Sequence, residues 1–164
     1  VSHRLHDATG VGDPLRVGPP AGDFQLRDGD HPVILISAGV GITPMVAMLR
    51  HLARTRPERP VIFAYATQDD SRYPHRHEVE ASLATLDDGR YHLWLEAPAT
   101  DDARALAGRM DLGRLGALPD GGDFYLCGPL PFMQTQLRWL LGAGIPRERI
   151  HYEVFGPDLF GELQ

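Results

Sequence analysis

The stretch HPVILISAGVGITPMVAMLRHLART, His31 to Thr55, decides the fold. Its first half is an apolar, partly β-branched run, as expected of a strand buried on both faces. Its second half sets Met45, Met48, Leu49 and Leu52 at helical spacing. Between the halves lie Gly39 and Gly41. Thr43 is placed to cap a helix, and Pro44 suits a first helical turn. A strand, a tight glycine corner and a helix, in that order, predict the start of a strand–helix–strand unit.

Outward from this stretch the same alternation repeats. VIFAYAT (Val61 to Thr67) reads as the next buried strand, and HRHEVEASLATL (His75 to Leu86) puts Val79, Leu83 and Leu86 on one helical face. YHLWLEA (Tyr91 to Ala97) is a third strand. Pro98 to Gly121 is looser, with one short helix expected around Leu112 to Leu118. FYLC (Phe124 to Cys127) is a fourth strand. PFMQTQLRWLLGAG (Pro131 to Gly144) is a helix, and HYEVFG (His151 to Gly156) a fifth strand. Alternation of this kind predicts an α/β fold: a doubly wound, five-stranded parallel sheet covered by helices. The front of the chain differs. GDPLRVGPPAGDF is rich in Gly and Pro and reads as β-hairpin material. A boundary is expected in the charged RDGDH, dividing the chain into residues 1–28 and 29–164.

With 43% hydrophobic residues in 164, the chain can bury a real core. A formal charge of -6 argues against nucleic acid, whose phosphates need concentrated Lys and Arg. The longest charge-free run, Pro32 to Leu49, is broken by glycines and Pro44 and makes a poor membrane span. One cysteine excludes an internal disulfide, and with no signal peptide a cytoplasmic home is expected. The chain begins at Val1 rather than Met, so it is expected to be a piece of a longer protein.

The glycine corner carries the chemistry. Glycine lets a backbone approach a ligand closely, and a helix start offers unpaired N–H groups with partial positive charge. Together they predict a phosphate site. The spacing is Gly-x-Gly-x-x-Pro rather than the full dinucleotide fingerprint. A bulky side chain at Gly41 is expected to fill the phosphate space while the fold survives. After the second strand comes TQDDSRYPHRH. Asp69 or Asp70 is suited to ribose hydroxyls and would favour NADH. Arg72, His75 or Arg76 is suited to a 2′-phosphate and would favour NADPH. His75 and His77 do not share a helix face, so no metal site is expected there.

Three motifs in order, SAGVGITPM, YLCGPLPFM and HYEVFGP, resemble the reductase half of flavohemoglobins and, more broadly, the ferredoxin–NADP reductase superfamily. VSHRLHD and VGDPLRVGPPAGDF look like the end of that family's FAD-binding barrel. The resemblance implies that Ala38, Gly39, Val40, Gly41, Ile42, Thr43 and Pro44 hold the pyrophosphate of NADH or NADPH. It implies that Cys127, Gly128 and Pro129 lie beside the nicotinamide. Val154, Phe155, Gly156 and Pro157 would contact FAD, with the Phe155 ring on the flavin, and Val1 and Ser2 would reach the FAD pyrophosphate. Cys127 and Glu153 would be the residues at the reacting rings. If the family's strand order holds, the first and fourth strands are neighbours, so the glycine corner and CGP line one crevice. In a regular strand Glu153 shares a face with His151 and Phe155. The family's Arg-x-Tyr-Ser flavin motif and the globin domain with its haem would both precede Val1. The implied function is an NAD(P)H-dependent flavin oxidoreductase module that passes hydride to FAD and feeds a haem for NO dioxygenation. The alternatives are a reductase serving another acceptor, or a nucleotide-binding fragment inactive alone. The EVFGP ending favours the flavohemoglobin, and one cysteine rules out a plant-type iron–sulfur set within this chain.

Overall fold

The computed structural model describes residues 2–98 and 105–154. Among the described residues six strands form a single parallel sheet: β1 (Val33–Ala38), β2 (Val61–Thr67), β3 (Gly89–Leu95), β4 (Ala105–Ala107), β5 (Asp123–Cys127) and β6 (Ile150–Glu153), in the order β4-β3-β2-β1-β5-β6. The helices are α1 (Ser2–Asp7), α2 (Ile42–Thr55), α3 (Arg76–Leu83) and α4 (Leu130–Gly142). The chain leaves β1 in one direction to β2, β3 and β4. It then crosses back to β5 and leaves in the other direction to β6. Right-handed crossovers running in opposite directions put their helices on opposite faces. So α2 and α3 cover one face of the sheet and α4 the other.

The sheet has one strand more than expected. β4 is only Ala-Leu-Ala, too short and too weakly β-forming to stand out, and it joins the edge beside β3 with Leu93 opposite Ala105. The short helix expected near Leu112 to Leu118 is one 3-10 turn, Leu112–Leu115.

The alternation of side chains splits the core in two. Val33, Leu35, Phe63 and Tyr125 pack with Met45, Leu49 and Leu52 of α2 and Val79 of α3. Ile34, Ile36, Trp94 and Leu126 pack with Met133, Leu137 and Leu140 of α4. Each such side chain, fully removed from water, contributes about 1.5–3 kcal/mol. No helix among the described residues is long and apolar enough to cross a membrane.

The front differs from its expectation. Among the described residues no strand precedes Val33, and the segment opens with the six-residue α1. Val11, Leu15 and Val17 stand exposed. A lone hairpin is marginal without a sheet to join, and the described residues before Val33 pair with none of the six strands. Packing against the sheet begins at Phe24 and Leu26. Phe24 meets the edge of the Tyr125 ring at 6.0 Å between centroids, and the Arg27 N–H donates to the Tyr125 hydroxyl at 2.7 Å.

Candidate nicotinamide-nucleotide site

The site follows from where the strand order reverses. In such sheets ligands lie beyond the carboxyl ends of the strands at the reversal. Here that point falls between β1 and β5, whose residues pair Val33↔Asp123 through Ser37↔Cys127. The first and fourth strands read from the sequence are therefore neighbours, as the resemblance required. Both motifs begin at this edge.

The two glycines of the corner have different causes. Gly39 has φ +54°, in the left-handed region, and a Cβ there would meet nothing within 4 Å. Its requirement is conformational, and the space beside it is open. Gly41 has ordinary helical angles, but a Cβ there would lie 2.2 Å from the Cys127 carbonyl oxygen and 2.7 Å from the Gly128 nitrogen. Gly128 in turn lets Ala38 close in, since its Cβ would sit 3.2 Å from the Ala38 nitrogen and oxygen. The two motifs thus interlock through backbone. This corrects the expectation for Gly41: a side chain there strikes Cys127 and Gly128, not a phosphate space.

The helix start is also built differently from its reading. A 3-10 turn, Gly39–Gly41, precedes α2. Thr43 lies inside the helix rather than capping it, and its hydroxyl donates back to the Val40 carbonyl at 3.2 Å. The Ile42 N–H turns to the Gly39 and Val40 carbonyls, and Pro44 has no N–H. The N–H groups that open the 3-10 turn have no partner within it by geometry, so the donors at this corner belong to its first residues. Val40 is exposed, and Ile42 is buried in the core. The Tyr65 hydroxyl, unmarked by the sequence reading, donates to the Gly39 carbonyl at 3.3 Å and steadies the corner from β2.

A cleft of about 460 Å³ opens here along the ends of β1, β2 and β3. Ala38, Gly39 and Pro129 form its inner end. Phe132 and Thr135 of α4 form a wall, and Gln68, Glu96 and Arg109 stand at the far rim. The rim is anchored by backbone: the Glu96 and Ala97 N–H groups donate to Thr67 and Gln68 carbonyls at 3.1 and 2.8 Å. None of these rim residues belongs to a motif, because they come from three separate loops. The five charged residues weighed in the sequence all lie off the cleft lining. Asp69 accepts from the Ser71 N–H and pairs with Arg72, Arg76 pairs with Asp70 and Glu80, and His75 meets Glu78 at 2.9 Å.

On the other side of the reversal, Cys127 stands between Ser37 and Glu153 in register. His151 lies beside Tyr125 two residues earlier, so His151 and Glu153 share a face as expected. Cys127 is fully buried, and its thiol is pushed up to about 12 by burial first and the Glu153 carboxylate second. It is neutral at physiological pH and is no nucleophile. Val154 is buried in the α4-side core. Val1, Phe155, Gly156 and Pro157 lie outside the described residues, as does the Ser2 side chain.

Comparison with known proteins places this arrangement. Residues 35–138 match the family model of the oxidoreductase NAD-binding domain. The chain is 40% identical to a flavohemoprotein of Rhizobium meliloti, over 99% of this chain and 42% of that protein. The flavohem-like FAD/NAD-binding domain of nitric oxide dioxygenase from Vibrio cholerae superposes with a TM-score of 0.86 at 42% identity, covering 96% of this chain and 65% of the other. A flavohemoglobin from Malassezia yamatoensis, with bound FAD and haem, superposes with a TM-score of 0.73 at 32% identity, covering 82% of this chain and 35% of the other. The chain spans about two fifths of the length of the flavohemoproteins it matches. With the family model matched across both motifs, the chain belongs to the oxidoreductase NAD-binding domain family, and the relatives it resembles over its own length are flavohemoproteins.

Proposed function

We propose that this chain is the nucleotide-holding part of a flavohemoglobin whose whole reaction is NO dioxygenation. Residues 29–164 would be its NAD(P)H-binding domain and residues 1–28 the end of an FAD-binding barrel. The observation that carries the reading is the interlock of the glycine corner with Cys127–Gly128 at the sheet reversal, with a cleft beside it. When bound, the nicotinamide and the flavin supply the hydride chemistry.

The residues of this chain bind, orient and exclude. The 3-10 turn at Gly39 presents N–H groups to a pyrophosphate, and the absence of a side chain there keeps the approach open. The cleft along the ends of β2 and β3 would take the adenosine half, and Cys127, Gly128 and Pro129 would border the nicotinamide. The Cys127 thiol stays neutral beside Glu153, so it adds packing without a charge next to a flat ring. Glu153 places a carboxylate at that strand end and would tune the transfer step. Within Ala38 to Pro44 the first residues of the turn, Gly39 and Val40, would carry the phosphate contacts while Gly41, Ile42, Thr43 and Pro44 would hold the corner's shape, and Val154 to Pro157 with Ser2 would meet FAD. The exposed Val11, Leu15 and Val17 support a barrel partner for the front segment. The haem would belong to a globin domain upstream, and a cytoplasmic setting fits the single buried thiol.

Titration of the chain with NADH and NADPH by calorimetry tests the reading. Binding by the native chain, weakened about tenfold or more in Gly39→Asn, is the expected result. Asn tolerates left-handed angles, so the corner keeps its shape while a side chain enters the open space. Equal affinity of native and variant chains would remove the phosphate role of the corner.

A further inference from the structure

The far rim of the cleft carries charge that the nucleotide reading has not used. Among the described residues lining the cleft, Glu96 and Arg109 are the charged ones. They face each other, with Arg109 Nε 3.6 Å from Glu96 Oε1. Arg109 is 90% exposed and Glu96 50%, so the pair is wet and weakly held. Their backbones are fixed all the same. The Glu96 N–H is held by the Thr67 carbonyl, and the Gly108 N–H, next to Arg109, donates to the Leu95 carbonyl at 2.8 Å. The sheet therefore aims both side chains over the ends of β3 and β4.

Position sets what they meet. Adjacent strands are about 4.8 Å apart, so the end of β3 lies roughly 10 Å from the end of β1. A nucleotide whose phosphate sits at Gly39 and whose base runs outward brings its ribose to this rim. The other cations near the end of β2 are occupied: Arg72 pairs with Asp69 at 3.7 Å, and Arg76 lies against Asp70, Glu80 and the Tyr73 ring. Among the described residues lining the cleft, charge near the ribose is thus left to Glu96 and Arg109.

We infer that Glu96 is a specificity-determining residue: its carboxylate occupies Arg109 and faces the ribose 2′ position, so the cleft accepts adenosine nucleotides with a free 2′-hydroxyl and rejects 2′-phosphorylated ones. The inference rests on the nucleotide reading of the cleft. Discrimination here is mainly repulsive. A carboxylate accepts a hydrogen bond from a hydroxyl and opposes a phosphate, whereas Arg109 released from it would attract the phosphate.

The experiment is calorimetric titration of the full chain with adenosine 5′-diphosphate and with adenosine 2′,5′-bisphosphate. The native chain is expected to favour the first by about tenfold or more. Glu96→Gln is expected to shrink that preference about tenfold by tightening the 2′-phosphorylated ligand, and adding Arg109→Ala is expected to remove the gain. Both sites are exposed, and unchanged thermal midpoints would show the fold intact. A preference unchanged in Glu96→Gln, or a gain that survives the loss of Arg109, overturns the inference while diphosphate binding leaves the cleft reading standing. A native chain that binds neither nucleotide overturns the cleft reading and the inference with it.

Discussion

The two edges of the sheet are built from opposite materials. The carboxyl edge is backbone against backbone: Gly41 on Cys127 and Gly128, and Gly128 on Ala38. The amino edge is a buried ionic knot. Arg59, 3% exposed, donates from Nε to the His31 carbonyl at 2.6 Å and from Nη1 to the Arg27 carbonyl at 3.1 Å. Its Nη2 lies 3.6 Å from the Asp123 carboxylate, which also faces Arg149 at 3.3 Å and His151 at 3.7 Å. That knot bolts the linker at Arg27–His31 to the sheet. The lesson is a division of labour. Buried charge sits at the amino edge, where it is neutralised and holds the chain, while at the carboxyl edge the glycine corner is kept small and close and charge stands only at its margins.

If that division holds, the largest loss of stability comes from the amino edge. Arg59→Ala strips two carbonyls and one buried carboxylate of a partner and should cost about 3–5 kcal/mol in urea unfolding. The folded fraction should keep its NADH affinity. A neutral effect would mean that Arg149 and His151 suffice for Asp123. Next is Gly41→Val, where the added carbons strike main chain that has no rotamer to escape into. A loss of about 3 kcal/mol is expected, read as a lower denaturation midpoint. Wild-type stability in that variant would return Gly41 to the role of a ligand contact. Gly39→Asn should fall far below both, under about 1 kcal/mol, because the position is strained only for side chains that avoid left-handed angles.

The smallest effect is on pH. Burial, the largest cause, lowers His151 from its ordinary value, with Asp123 opposing, and burial likewise lowers His92. The unfolded chain therefore binds protons more readily than the folded one just below the ordinary histidine range. Stability should be fully present above that range and decline as pH falls through it. His151→Gln should flatten part of the decline between about pH 7 and 5.5, measured by thermal midpoints. A slope unchanged in that variant would assign it to His92.

Much of this was readable in advance where residues repeat a period. The β-branched run of β1 and the helical spacing of Met45, Met48, Leu49 and Leu52 each dictate one element. Alternation predicted a parallel sheet, but the neighbouring of the first and fourth strands came only from the family resemblance, and the rest of the order from the structure. Other parts depend on neighbours that sequence does not display. β4 is a strand only because β3 offers an edge. The front segment reads as hairpin from its glycines and prolines, but turn residues alone do not supply a pairing partner. Gly39 and Gly41 look alike in sequence, yet one answers to its own angles and the other to a carbonyl 86 positions away in a different motif (127 less 41). The rim residues Gln68, Glu96 and Arg109 meet only once three loops are placed.

Hydrogen exchange of the chain with and without saturating NADH tests the central claim most directly. The account predicts slowed exchange at Gly39–Gly41 and around Gly128, with unchanged exchange at Val33 and Asp123 on the amino edge. Protection confined to the amino edge, or none at the glycine corner while NADH is bound, would contradict it.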